Sequence, residues 1–300
     1  MRLLVLGGTK FLGRHAVANA LEQGHEVTTF TRGQTNPELF PDAEHLHGDR
    51  DGGLDALRGR QWDGVVDTSG YVPRIVRQSA ELLRDAVQRY VFVSSISVYA
   101  EPEDEPDSED IQQHYGALKR ACERVVEEVY GDRSARVRAG LIVGPYDPTD
   151  RFTYWPRRLA VGGDVLAPGD PRQPVQIVDA RDLAAWLVQL ALEGPGGTFD
   201  LTGPQLTLGE LLERLRGDAR LVWVDSQAVL EAGVEPWTEL PLWLPDQESW
   251  FLMQREVPAW ATTRPLEETA RDTLAWDRSE PGERQTLTRE REAEVLAKRS

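Results

Sequence analysis

The sequence predicts an α/β fold, a doubly wound parallel sheet with a smaller, mainly C-terminal second region. Three observations predict it. Short aliphatic runs alternate with helical stretches over the first 145 residues, a glycine-rich turn follows the first of those runs at once, and the alternation lapses into Pro- and Asp-rich loops after Pro145. Strands that alternate with helices imply a parallel sheet covered by helices on both faces. Right-handed crossovers then gather the strand C-termini at one edge, where ligands bind in such folds.

The elements follow in order. "RLLVLG" at the N-terminus is a first strand, and "HEVTTFTR", "WDGVVDTS", "RYVFVSS" and "VRAGLIVG" supply further strands. Arg14 to Gln23 and Pro73 to Val87 are the helical stretches between them. After Pro145, "PYDPTDRFTYWP" and "APGDPRQP" read as loops, while "PVQIVDARDLAAWLVQLALEG" and "TFDLTG" return to strand and helix. Residues 1–145, with 176–203 returning to them, are therefore expected to form one domain, and 146–175 with 204–300 the second region. In that region Thr207 and Glu210 form a capping box, and Thr263 with Pro265 opens a further helix. Trp223, Trp237, Trp243, Trp250, Trp260 and Trp276 crowd the last quarter as core, with one or two expected to wall a cleft. The acid-rich segment Glu101 to Asp110 reads as a solvated loop.

Composition excludes several functions. The formal charge of −16 opposes a phosphate backbone, and no basic patch offsets it, so no nucleic-acid partner is expected. The longest mainly apolar stretch, "LAAWLVQLAL" from Leu183, is far short of a membrane span. The one cysteine, Cys122, lies on a helix and reads as a buried reduced thiol, as in a cytoplasmic protein. Five histidines at unsuitable spacing, His45 and His47 on one strand face included, give no metal site.

Two motifs carry chemistry. In "GGTKFLG", Gly7, Gly8, Thr9, Lys10, Phe11, Leu12 and Gly13 join a strand to a helix. Glycines there let the backbone approach a pyrophosphate, and the helix N-terminus offers N–H groups and partial positive charge to that anion. The next strand ends in Thr31 and Arg32, with no carboxylate to grip ribose hydroxyls. Arg32 suits a 2′-phosphate, so NADP is expected over NAD. Asp49 and Arg50, after the third strand, are expected at the adenine end, and Thr68, Ser69 and Gly70 where the backbone passes the cofactor. In "YGALK", Tyr115 and Lys119 stand four apart and share a helix face. An ammonium and a cationic nicotinamide beside a phenol would lower its pKa by about 2 to 3 from about 10, into the range for general acid–base work. Ser94 and Ser95 end the strand just before, where a hydroxyl can hold a substrate oxygen.

With "LGGTKFLG", "FVSSISVYA", "YGALK", "RAGLIVGPYD" and "VQIVDARDLA", the chain resembles the extended short-chain dehydrogenase/reductase superfamily, the NAD-dependent epimerase/dehydratase family. The resemblance implies a Rossmann-type fold, a C-terminal substrate-binding region and a small-molecule substrate with a hydroxyl or carbonyl. It implies Tyr115 as acid/base, Lys119 as ribose ligand and pKa-lowering group, and Ser95, four residues before Tyr99, as the orienting hydroxyl. A homodimer through the helices 74–88 and 112–130 is implied as well. Three departures stand out. Lys10 occupies the place of a middle glycine, a turn similar to that of an atypical branch that includes chloroplast stem-loop RNA-binding proteins. Val175 stands where nucleotide-sugar members carry an arginine, and a second phosphate-binding arginine has no counterpart, leaving Arg157, Arg158 or Arg172 to compensate. A non-catalytic dinucleotide- or RNA-binding protein on the same scaffold is the alternative reading.

Overall fold

A single residue, Asp67, shows how the larger sheet is built. It ends a strand with no solvent exposure, and its charge is answered from two other segments of the chain. The structure is a computed structural model that describes residues 1–100, 108–245, 254–280 and 285–298. Glu101 to Asp107 of the acid-rich segment and Trp250 lie outside the described residues. The chain divides into two units, one of residues 1–140, 180–202 and 256–262, the other of 141–179, 203–255 and 263–300.

The first unit holds β1 (Arg2–Leu6), α1 (Phe11–Glu22), β2 (Glu26–Thr31), β3 (Glu44–His47), β4 (Trp62–Asp67), α2 (Pro73–Leu83), β5 (Val87–Ser95), α3 (Ile111–Tyr130) and β6 (Ser134–Ala139). Beyond the second unit's β7 (Leu141–Val143), α4 (Tyr154–Leu159), β8 (Asp164–Pro168) and β9 (Pro174–Asp179), the chain returns to it with α5 (Ala180–Leu192) and β10 (Gly197–Leu201). Seven strands form one sheet in the order β10-β6-β5-β4-β1-β2-β3, all parallel. This is the doubly wound sheet that the alternation predicts. A sheet buried on both faces needs strands apolar on both faces. Leu3, Leu4, Val5 and Leu6 of β1 are accordingly all fully buried. Leu4, Leu6, Val65, Tyr90 and Phe92 pack with Val76, Ala80 and Leu83 of α2 and Cys122, Val125 and Val126 of α3. Each leucine, valine or phenylalanine among them contributes about 1.5–3 kcal/mol of transfer free energy. α5 lies so close over β4 that a Cβ on Gly64 would strike the backbone of Ala191.

The second unit also contains β11 (Gln205–Thr207), α6 (Leu208–Leu215), β12 (Arg220–Val224), α7 (Ser226–Glu231), α8 (Leu266–Ser279) and α9 (Arg289–Ala297). β9 pairs with β7 and β11 in a three-stranded sheet, and β8 with β12 in a parallel pair. Residues 176–179 therefore belong here, and the return to the large sheet begins at Ala180. The Thr207–Glu210 capping box is formed, with Glu210 N at 3.1 Å from Thr207 Oγ1 and Thr207 N at 2.8 Å from Glu210. Trp155 and Trp243 are fully buried, the indole of Trp155 donating to the Pro241 carbonyl at 2.8 Å. Trp223 and Trp237 pack partly buried against the same core. Trp260 belongs to the first unit, edge-on to Trp186 and Phe199.

Arg50, expected with Asp49 as a cofactor residue, is turned into the first unit. Its guanidinium binds both carboxylate oxygens of Asp67, at 2.7 and 2.8 Å, and reaches Ser79 Oγ at 2.7 Å. The Tyr90 hydroxyl donates to the same carboxylate at 2.7 Å. Removing one partner of a buried pair strands the other charge, which costs about 3–5 kcal/mol. Arg50→Met is expected to lose stability on that scale in urea denaturation, with Arg50→Met/Asp67→Leu recovering part of it.

Candidate functional site

The glycine turn is assembled from close backbone contacts. Gly7 and Gly8 adopt φ of 106° and 110°, a region that side chains disfavour. A Cβ on Gly13, inside α1, would lie 2.7 Å from Gly8 N and 3.1 Å from Thr68 Oγ1. The helix start is thus pressed onto the turn, and among the described residues no side chain caps it. Backbone donors at such an end, beside a cradle only glycine can line, fit the phosphates of a dinucleotide. Lys10 is exposed and extended, at φ −127° and ψ 142°, a conformation open to any residue. Phe11 takes the positive φ of 34° instead.

The segment after β4 links this turn to the Tyr–Lys pair. The Thr68 backbone N–H, its hydroxyl and the Ser69 hydroxyl all donate to the Leu6 carbonyl, at 3.1, 3.0 and 3.1 Å. Ser69 N donates to Asp67 at 3.1 Å, and Arg50 donates to Ser69 Oγ at 3.2 Å. The carbonyl of Gly70, next in line, accepts from Lys119 Nζ at 2.7 Å. A second bond runs from Nζ to the Val93 carbonyl of β5 at 2.9 Å. Two of the three ammonium donors are used in this way.

Lys119 is only 3% exposed, and burial lowers its pKa to about 8. Desolvation dominates because the charge leaves water, while Cys122, Asp67 and Glu123 act to raise it and Arg50 to lower it. Tyr115 is half-buried one turn earlier on α3, its ring centroid 5.9 Å from Nζ. His114 just before it departs from helical geometry, at φ −124° and ψ 30°, so α3 is kinked immediately before Tyr115. Burial pushes the Cys122 thiol up to about 12, an inert group.

Ser95 ends β5 and caps the 3₁₀ turn Ile96–Tyr99. Its hydroxyl accepts from Ser97 N at 3.1 Å and donates to Ser97 Oγ at 3.0 Å. Ser94 is buried, its hydroxyl without a partner among the described residues. The turn is clamped at its far end. Arg138 of β6 donates to the Tyr99 hydroxyl at 2.7 Å while binding Glu123 of α3 at 2.7 Å, and Tyr99 lies 3.0 Å from Asp200 of β10. Arg120 of α3 also donates to the Val98 carbonyl. The hydroxyl-bearing turn is therefore tied to the helix that carries Tyr115 and Lys119.

The remaining expected residues are placed differently from one another. Arg32 is exposed immediately past β2. Asp49 is exposed and closes its own turn, accepting from Asp51 N at 2.9 Å. Within the second unit, Arg158 is buried on Glu292 at 2.6 Å and Arg157 binds Asp150 and Asp277 at 2.6 and 2.9 Å. Arg172 is exposed and paired with Asp170 at 2.7 Å. Tyr71, which the sequence reading passed over, lies against Lys119 with its ring centroid 4.4 Å from Nζ and 6.4 Å from the Tyr115 ring. No spacing rule points to it, since it is set by the loop after β4. Among the described residues no cluster could hold a metal ion, and no helix is long and apolar enough to cross a membrane.

Residues 72–201 match the NAD dependent epimerase/dehydratase family. A chloroplast stem-loop binding protein of 41 kDa b from Arabidopsis thaliana is 29% identical over 206 residues, 61% of this chain and 53% of that one. A UDP-glucose 4-epimerase from Corynebacterium glutamicum is 29% identical over 173 residues, 49% of this chain and 53% of its own. The chain thus spans about half the length of the curated relatives it matches. The crystal structure of a UDP-N-acetylglucosamine 4-epimerase from Bacillus cereus shares the fold, with a TM-score of 0.64 at 17% identity, covering 96% of this chain and all (100%) of that one.

The depressed Lys119 pKa has a thermodynamic consequence. Between about 8 and the unfolded value of about 10.4, the unfolded chain binds more protons at this site than the folded one. The Lys119 contribution to stability therefore rises with pH across that window and is lost as pH falls through about 8. Cys122, raised to about 12, acts in the opposite sense over the same range. The Lys119 component is read as the difference between wild type and Lys119→Met. Urea denaturation is expected to show the wild type gaining on that variant by about 2 kcal/mol from pH 8 to 9.5.

Proposed function

The chain carries the domain of the NAD dependent epimerase/dehydratase family over residues 72–201, and on that premise we propose that it is an NAD(P)-dependent oxidoreductase or epimerase. Its substrate is a small, sugar-like molecule with a hydroxyl or carbonyl. The observation that carries the reading is Lys119, a buried ammonium on the Tyr115 face of α3. It is hydrogen-bonded to the same loop that packs on the glycine turn. Gly7, Gly8 and Gly13, with the free start of α1, hold the dinucleotide phosphates. The dinucleotide, when bound, supplies or accepts hydride.

Tyr115 takes the proton of a substrate hydroxyl during oxidation and returns it to the carbonyl oxygen during reduction. The nearby ammonium favours the phenolate, so the transfer runs near neutral pH. Ser95 holds the same substrate oxygen, its hydroxyl fixed by the 3₁₀ turn that Arg138 and Arg120 clamp. Tyr115→Phe is expected to lower turnover by about 10² or more with dinucleotide affinity retained. Full activity in that variant removes the assignment.

The family's name speaks for NAD, and Arg32 supports NADP. The arginine stands exposed past β2, where it can pair bidentately with a 2′-phosphate. NADP is expected to bind more tightly than NAD, and Arg32→Ala to reduce that preference by about tenfold, the scale of one charge-assisted hydrogen bond. Calorimetric Kd values for both dinucleotides check it, and equal wild-type affinities refute the preference.

One observation favours a second reading, a non-catalytic dinucleotide- or RNA-binding protein. The Arabidopsis relative is named for stem-loop binding. The net charge of −16 stands against an RNA partner. A gel shift with a stem-loop RNA at low salt separates the two readings, since binding that falls steeply with salt would support the second.

A further inference from the structure

A buried ammonium is ordinarily held by a carboxylate, and among the described residues none pairs with Lys119. Its hydrogen bonds go to two backbone carbonyls. What surrounds the charge is aromatic. The ring centroids of Tyr71, Phe92 and Tyr115 lie 4.4, 5.0 and 5.9 Å from Nζ, all within the range of a cation–π contact. Phe92 is a core residue of β5, and Tyr115 is the proposed proton carrier. Tyr71 has neither task. It sits on the loop after β4 and keeps 40% of its surface exposed, yet its ring lies nearest the cation. Burial raises its hydroxyl pKa, which keeps the ring a neutral phenol around neutral pH.

We propose that Tyr71 is a positioning residue, whose ring face holds the Lys119 ammonium in place and charged beside Tyr115. The proposal rests on the reading of Tyr115 and Lys119 as the proton-transfer pair. A carboxylate in the same place would also stabilise the cation, but its own negative charge would cancel the field that Tyr115 needs. An aromatic face stabilises the cation with no net charge of its own. The other charged or titratable groups that face Lys119 are Cys122 and Glu123 from α3, Asp67 from β4 and Arg50 from the loop after β3. Arg50 and Asp67 are bound to each other, so their effects on Lys119 oppose.

The test follows the titration of Lys119 directly, by NMR of its ε-carbon, with Lys119→Met to assign the signal. Tyr71→Leu keeps apolar cover over the cation and removes the ring face. It is expected to lower the Lys119 midpoint by about one pH unit, and the alkaline limb of turnover with it. Tyr71→Phe keeps the ring and is expected to leave the midpoint within about 0.3 of wild type, on the same scale. Phenylalanines of increasing fluorination at position 71, which drain the face without changing its shape, are expected to lower the midpoint stepwise. A midpoint unchanged in Tyr71→Leu or flat across the fluorinated series overturns the proposal. So does a Tyr71→Phe shift as large as that of Tyr71→Leu. The titration needs neither substrate nor dinucleotide, so its failure is distinct from failure of the oxidoreductase reading, which the Tyr115→Phe turnover decides.

Discussion

The carboxylate of Asp67, fully buried at the end of β4, is the constraint on which the first unit's site depends. An ionised group there must be compensated completely, because an unpaired charge in a low dielectric costs several kcal/mol. Arg50 supplies the charge, and the Tyr90 hydroxyl and Ser69 N supply further hydrogen bonds. The consequence is geometric. Ser69 is held from one side by Asp67 and Arg50 and from the other by the Leu6 carbonyl, so residues 68–70 have little freedom. Those residues touch the glycine turn through Thr68 and receive Lys119 through Gly70. The Arg50–Asp67 salt bridge thereby helps set the spacing between the glycine turn and the Lys119 ammonium.

The same pair shapes the electrostatics. Arg50 and Asp67 carry opposite charges in close contact, and their separate influences on Lys119 oppose each other. Desolvation is the largest influence on the lysine and brings it to about 8, against Cys122 and Glu123, which act to raise it. Lys119 is thus a cation that is costly to bury, and among the described residues no carboxylate pairs with it. Such an arrangement lowers stability, and strongly perturbed buried groups are enriched among those with a chemical task.

The parts legible in sequence were those set by local rules. Strand and helix alternation, the glycine turn and the four-residue spacing of Tyr115 and Lys119 each follow from periodicity or backbone geometry over a few residues. The capping box at Thr207 is legible for the same reason. Arg50 shows where such rules end. Arg50, after the third strand, reads as a cofactor residue beside Asp49, but its partner is a carboxylate 17 residues away at the end of β4. Nothing in the spacing of Arg50 and Asp67 reveals that the segment after β3 reaches back to the end of β4, three strand positions away in the sheet. The short strands β7, β9 and β11 form a sheet of their own for a similar reason. At three residues, β7 and β11 are too short for a periodic signal, so β9 read as part of the larger sheet. Tyr71 was hidden because loop conformation, not period, lays its ring over the lysine.

Lys10 is the departure that most invites a reading of lost function, and the backbone argues otherwise. A glycine is needed where φ is positive or where a Cβ would collide. Gly7 and Gly8 meet the first condition and Gly13 the second, and all three are kept. Position 10 meets neither, since its backbone is extended and its side chain is exposed. The substitution therefore leaves the cradle intact and adds a cation at the start of α1. The local strain appears one residue later, at Phe11, whose φ of 34° is unusual for an aromatic residue. Strain of this kind persists only when the surroundings enforce it. The close approach of Gly13 to Gly8 lies two residues further on in the same turn.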